Sequence, residues 1–160
     1  MRSLVTATCS LLLAGIVLPA DAQQRREPAA APQGPKSLTA KAADLVPIPS
    51  RMLNGAVSIR NAGSGPAGPS VATVVCTKVG GGSCAESPAM KKYENPAYPN
   101  ALVVNIPAVP TGQVHSHSLP FWNSLKWLPG TYQFSVTADA GKQVAETNEG
   151  NNAGTAQMKK

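Results

Sequence analysis

Helical periodicity, aromatic side chains and cysteine are all scarce in this chain of 160 residues, which holds two Trp, two Phe, three Tyr and three Cys. No stretch of the main domain sustains an apolar stripe of period 3.6, and 14 Gly with 15 Pro disfavour long helices. Beyond the N-terminal region no segment is apolar enough to stop transfer across a membrane, so no transmembrane segment is expected. Cys76 and Cys84 have no companion Cys or His at finger-like spacing, which argues against a structural zinc site. A catalytic constellation is missing as well. Ser116 and Ser118 flank His117, but strand alternation sends both hydroxyls to the opposite face, so no nucleophile–base bond forms within that strand. Asp44, Glu86 and Glu94, the domain's carboxylates outside its closing cluster, are scattered. Gly80-Gly81-Gly82 lies between two cysteines and reads as a hairpin tip, not a phosphate loop. The chain is not expected to be an enzyme.

What is present begins with a compartment signal. Arg2 gives a short positive start, Leu4 to Leu18 is apolar and uncharged, and Ala20-Asp21-Ala22 supplies the small-x-small pattern of a signal peptidase site. Residues 1–22 are read as a cleaved signal peptide with Gln23 as the first mature residue. The protein is expected to be periplasmic or secreted. Thr6-Ala7-Thr8 before Cys9 is a poor match to a lipoprotein site, so no lipid anchor is expected. In an oxidising compartment Cys76 and Cys84 are most simply a local disulfide.

The formal net charge is +6, but most of the excess lies in the tails. Arg25, Arg26, Lys36, Lys41, Lys159 and Lys160 are opposed there only by Glu27. The stretch from about Ala42 to Met158 balances Arg51, Arg60, Lys78, Lys91, Lys92, Lys126 and Lys142 against Asp44, Glu86, Glu94, Asp139, Glu146 and Glu149. A nucleic-acid footprint needs basic residues gathered on one folded face, so no nucleic-acid partner is expected. The tails read as solvated ends with a weak attraction for anionic surfaces.

Residues 23–41, rich in Gln, Ala and Pro, cannot bury enough apolar surface to offset their ordering entropy and read as a disordered linker. Residues 42–158 then form one domain of strands. The clearest is Thr131–Ala138, where Tyr132, Phe134, Val136 and Ala138 alternate with Thr131, Gln133, Ser135 and Thr137. Pro129-Gly130 opens it and Asp139-Ala140-Gly141 closes it. Ala56–Arg60, Val71–Thr77, Ala101–Ile106, Gln113–Phe121 and Gly154–Met158 read as further strands. Leu45–Ile48, interrupted by Pro47, can only lie at an edge. About seven short strands between turn clusters predict an all-β, immunoglobulin-like antiparallel sandwich.

Four stretches resemble the CARDB family, Ig-like modules of bacterial exported proteins named for cell adhesion. They are Asp44-Leu45-Val46, Val57–Gly63 ending in Asn61-Ala62-Gly63, Leu128–Asp139 with its Pro-Gly-x-Tyr start, and Glu146-Thr147-Asn148-Glu149-Gly150-Asn151-Asn152. The resemblance spans about Asp44 to Ala156. It implies a two-sheet sandwich with a role in surface or envelope interaction. Family modules are usually appended to larger proteins, whereas this chain carries a single one.

Three groups of residues are candidate sites. Asp139, Glu146, Asn148, Glu149, Asn151 and Asn152 supply the oxygens calcium favours, but the same residue types build turns by bonding local backbone. The structural reading is preferred and no cofactor is expected, with calcium as the alternative. His115 and His117, two apart on a strand, project to one face and could hold Cu or Zn if further ligands joined them; the preferred reading is a pair of histidines on an exposed strand. Phe121, Trp122 and Trp127 gather most of the large aromatic surface. Trp127 reads as core or a turn plug, and Trp122 as a partly exposed ring available to a partner. The sequence therefore points to a non-catalytic exported binding module for a protein or glycan of the cell envelope. The alternative is a periplasmic Cu/Zn-binding protein using His115 and His117.

Overall fold

The computed structural model describes residues 41–160. The expected signal peptide and all but the last residue of the expected linker lie outside the described residues.

Seven strands form two antiparallel sheets: β1 (Leu45–Pro47), β2 (Ala56–Asn61), β3 (Ser70–Lys78), β4 (Leu102–Ile106), β5 (Val114–Ser118), β6 (Thr131–Thr137) and β7 (Ala153–Lys159). One sheet has the order β1-β2-β5 and the other β4-β3-β6-β7. This is the immunoglobulin-like sandwich the strand pattern predicts, with β1 at an edge as Pro47 requires. Tyr132, Phe134, Val136 and Ala138 are all buried, and Val57 and Ile59 face them from the other sheet's buried side. Full burial of a side chain such as Phe134 contributes roughly 2–3 kcal/mol.

The fifth strand is shorter than its sequence suggests. It stops at Ser118, because Leu119 turns to donate to the Gly55 carbonyl and Pro120 has no N–H for the ladder. Gly80 to Gly82 form a turn with φ near 86°, 96° and 95°, but not the tip of a hairpin. β3 pairs with β4 and β6, and the chain after the turn runs on as a long connection. The end of the chain is not a free tail either. Lys159 belongs to β7, and Lys160 exchanges two backbone hydrogen bonds with Gly130.

Two 3₁₀ turns close the open flanks between the sheets. Pro49–Asn54 packs against β2 and β7 and buries Met52. Pro88–Tyr93 packs against β4 and sends buried Tyr93 toward β5.

Candidate functional site

The strand registers sort the connections into two ends. One end collects the start of β1, the end of β2, the start of β3 and the β6–β7 connection. The other collects the end of β3, the start of β6, the end of β7 and the loops around them.

The first end is closed by polar bonds. Asn61, fully buried, accepts from the Asp44 and Gly63 amides (3.1 and 3.0 Å) and donates to the Gly65 and Val109 carbonyls (2.9 Å each). A Cβ on Gly63 would meet the backbone of Ala42 and Ala43, so the strand-closing Asn-x-Gly is an amide anchor beside a close backbone crossing. The Glu146–Asn152 segment clasps the same strand. Glu146 accepts from the Leu45 amide with one oxygen and from Asn152 Nδ2 with the other (3.0 Å). Thr147 donates to the Ala43 carbonyl (2.9 Å), and Asn151 Nδ2 donates to Asp44 Oδ1 (2.8 Å). Asn148 accepts from the Gly150 amide, and Glu149 accepts from Asn152 Nδ2. Buried Asp139, at φ 39°, accepts from the amides of Gln143 and Val144 (2.9 Å each). Burial pushes the Glu146 carboxyl up from its ordinary value; hydrogen bonds from Leu45 and Asn152 oppose the rise, and the charges of Glu149 and Asp139 add to it.

The turn reading of this cluster expects bonds to local backbone. Glu146 instead reaches across to β1, the opposite sheet's edge, 101 residues away in sequence. Among the described residues no group of three or more His, Cys, Asp or Glu side chains is arranged to hold a metal ion. The carboxylates of Asp139 and Glu146 face N–H donors instead.

His115 and His117 do share a face, but it is the inner one. They lie opposite Ile59 and Val57 in the register, and both are half-buried. The strand is exposed as expected, with no fully buried residue, but its inner face is not open along its length, because Tyr93 of the Pro88–Tyr93 turn packs on His117. His117 Nε2 lies 3.3 Å from the Tyr93 hydroxyl, with the rings edge-on at 5.8 Å. Burial lowers the His117 pKa, and the nearby His115 and Lys92 charges lower it further. His115 Nε2 is buried without a hydrogen-bond partner. Ser116 turns away, as alternation requires, to Ser58 Oγ (2.7 Å) and Arg51 (2.9 Å).

The second end holds a cleft of about 1150 Å³. Its floor is Val74, Trp122, Trp127 and Phe134, and one wall is the β3–β4 connection, residues 79–101. The Cys76–Cys84 disulfide, with Cα atoms 6.2 Å apart, pins the start of that connection to β3. Tyr93 packs on Phe121 at 5.5 Å and fixes its middle, and a bridge between Glu94 and Leu102 fixes its exit.

Trp122 is not the exposed ring. It is 8% exposed, wedged against Gly55 and within 5.4 Å of the Phe134 ring. Gly55 at φ 72° has no Cβ, which leaves that slot for the indole. Trp127, packed at 4.8 Å on Tyr132, is the half-buried ring that lines the cleft. The cleft wall escaped the sequence reading, although its signal is visible. Residues 79–101 run for longer than the ~12–15 residues that structureless loops in compact domains rarely exceed unless functional.

No family model matches the chain, and no curated protein matches it. Among solved structures it is similar to the CARDB domain of a Pyrococcus furiosus protein, solved in complex with di-metal ions, at 16% identity and a TM-score of 0.42. That match covers 74% of this chain and 88% of the other, and names the family whose motifs the sequence resembles.

Proposed function

We propose that this protein is an exported, non-catalytic module of the periplasm or cell surface that holds a protein or glycan partner in the cleft at the open end of its sandwich. The observation that carries this reading is the cleft itself. Its volume of about 1150 Å³ exceeds the ~300–1,000 Å³ of a typical small-molecule pocket and suits a segment of a polymer. The half-buried Trp127 ring beside a rim carrying Ser83, Glu86, Lys91 and Asn95 combines apolar contact area with orienting polar groups.

The test is photo-crosslinking in intact cells, with a photoreactive residue in place of Trp127 and, as control, of Gln133 on the outer sheet face. Discrete adducts from position 127 alone support the reading. Adducts shared by both positions, or none, overturn it.

A second reading, Cu or Zn handling through His115 and His117, is favoured by the buried, unpartnered Nε2 of His115. It requires Cu(II) or Zn(II) binding by the purified protein that is lost when both histidines are replaced.

A further inference from the structure

Among the described residues the two most exposed large aliphatic side chains, Leu128 at 65% and Val79 at 53%, both lie at the open end. Val79 donates its amide to the Thr131 carbonyl (2.8 Å), and the Leu128 carbonyl accepts from the hydroxyl of buried Tyr132 (2.8 Å). Both backbones are thus tied to β6. Lysines lie at the same end. Lys78 lies over the Tyr132 ring at 5.7 Å, and Lys126 shares a hollow of about 610 Å³ with Lys78 and Leu128. Lys159 pairs with Thr131 across the ladder, and Lys160 is bonded to Gly130. Glu86 is the one carboxylate side chain lining that hollow.

The closed end is composed differently. Asp44, Asp139, Glu146 and Glu149 gather there against Lys41, Arg60 and Lys142. The folded part therefore carries its excess of ammonium groups at the end that also exposes these aliphatic groups. Apolar side chains that enter the headgroup layer, ringed by lysines that pair with phosphates, are what peripheral binding to an anionic bilayer requires. The exposed Gly80-Gly81-Gly82 turn places no side chain between that surface and the bilayer.

We propose that the open end, through Val79, Leu128, Lys78, Lys126, Lys159 and Lys160, docks the protein on an anionic lipid surface. This goes beyond the cleft reading and stands without it, because the docking residues differ from the cleft's aromatic floor.

The experiment is co-sedimentation of the protein, as purified from its native cells, with vesicles of phosphatidylcholine alone or mixed with phosphatidylglycerol. Binding is expected to the mixed vesicles only and to weaken as salt rises. Replacing Leu128 and Val79 with Ser, or Lys126 and Lys160 with Ala, should each weaken it about tenfold or more. All four positions are exposed or at a loop tip, and an unchanged melting temperature verifies that the variants fold. Photo-crosslinking from position 127 reads the cleft separately, so failure of the cleft reading would not be mistaken for failure here. Equal binding to both vesicle types, or variants that bind like the wild type because the N-terminal basic segment carries the affinity, would overturn the proposal. So would retention on immobilised polyglutamate without vesicle binding, which would point to an acidic protein.

Discussion

At the closed end Asn61 uses all four of its hydrogen-bonding positions on backbone groups, whereas at the open end the chain leaves Leu128 and Val79 to solvent and holds the β3–β4 connection with a disulfide, one buried tyrosine and a single bridge. The same strands feed both ends, and both are rich in Gly, Pro and Asn. What differs is the destination of the polar groups: inward onto partners at one end, outward to water at the other. Local stability follows such accounting, and regions with few buried contacts open first. A binding surface can vary at the open end without disturbing the anchor at the closed one.

The sharpest way to break this contrast is Asn61→Ala. It leaves two part-buried amides and the buried Gly65 carbonyl unpaired and takes one of the two donors from the Val109 carbonyl, and should cost about 3 kcal/mol or more in urea denaturation. Asn148→Ala removes one exposed capping bond to Gly150 and should cost under about 1 kcal/mol. Equal losses would mean that the closed end is not held by Asn61.

Removing the disulfide with paired Cys76→Ser and Cys84→Ser should cost about 2–3 kcal/mol, the range expected for a short closed loop. That loss acts through the unfolded chain and is global, but residues 79–101 should lose more than it. Hydrogen exchange should show them losing more protection than the amides around Asn61. A uniform loss would show that the two ends unfold as one unit.

A smaller effect tests the clasp. Asn152→Ala should lower stability by about 1 kcal/mol or more, since it removes the donor shared by Glu146 and Glu149. The loss should be the same in millimolar calcium and in EDTA. A wild-type melting temperature that rises with calcium, and no longer does so in Glu146→Ala, would make the segment a cation site instead.

Much of the fold was legible because period-two alternation is a local signal. The buried face of β6 can be read residue by residue from Tyr132 to Ala138. The anchor motifs were legible as patterns but not as bonds. Nothing near Glu146 indicates that its partner is the Leu45 amide 101 residues away, because a clasp between sheets exists only after both have formed. Trp122 misled for a related reason. Its burial depends on a glycine with positive φ on a different element, Gly55, and composition around Trp122 carries no trace of that slot. The histidine pair was placed on one face correctly, but which face is set by the pairing of β5 with β2 and by the Tyr93 turn, both long-range.

The smallest expected effect concerns that pair and sets the flank of the sandwich against the clasp. Burial first, then the charges of His115 and Lys92, hold the His117 pKa below the ordinary value of about 6.5. The unfolded chain therefore binds the proton more readily, and stability rises with pH through this window. Acidification from about pH 7 should lower stability as the pH passes below 6.5 toward the folded value, and the loss should level off below it. Glu146 acts with the opposite sign. Its raised pKa means that the folded state takes up a proton first, so falling pH through the window above its ordinary value of 4.5 favours folding. The urea midpoint should then dip on mild acidification and recover in part at lower pH, before global acid denaturation. His117→Asn, which keeps a polar partner for the Tyr93 hydroxyl, should remove the dip and leave the recovery. An unchanged dip in that variant would assign the acid sensitivity to another group and leave the Tyr93–His117 contact without a role in it.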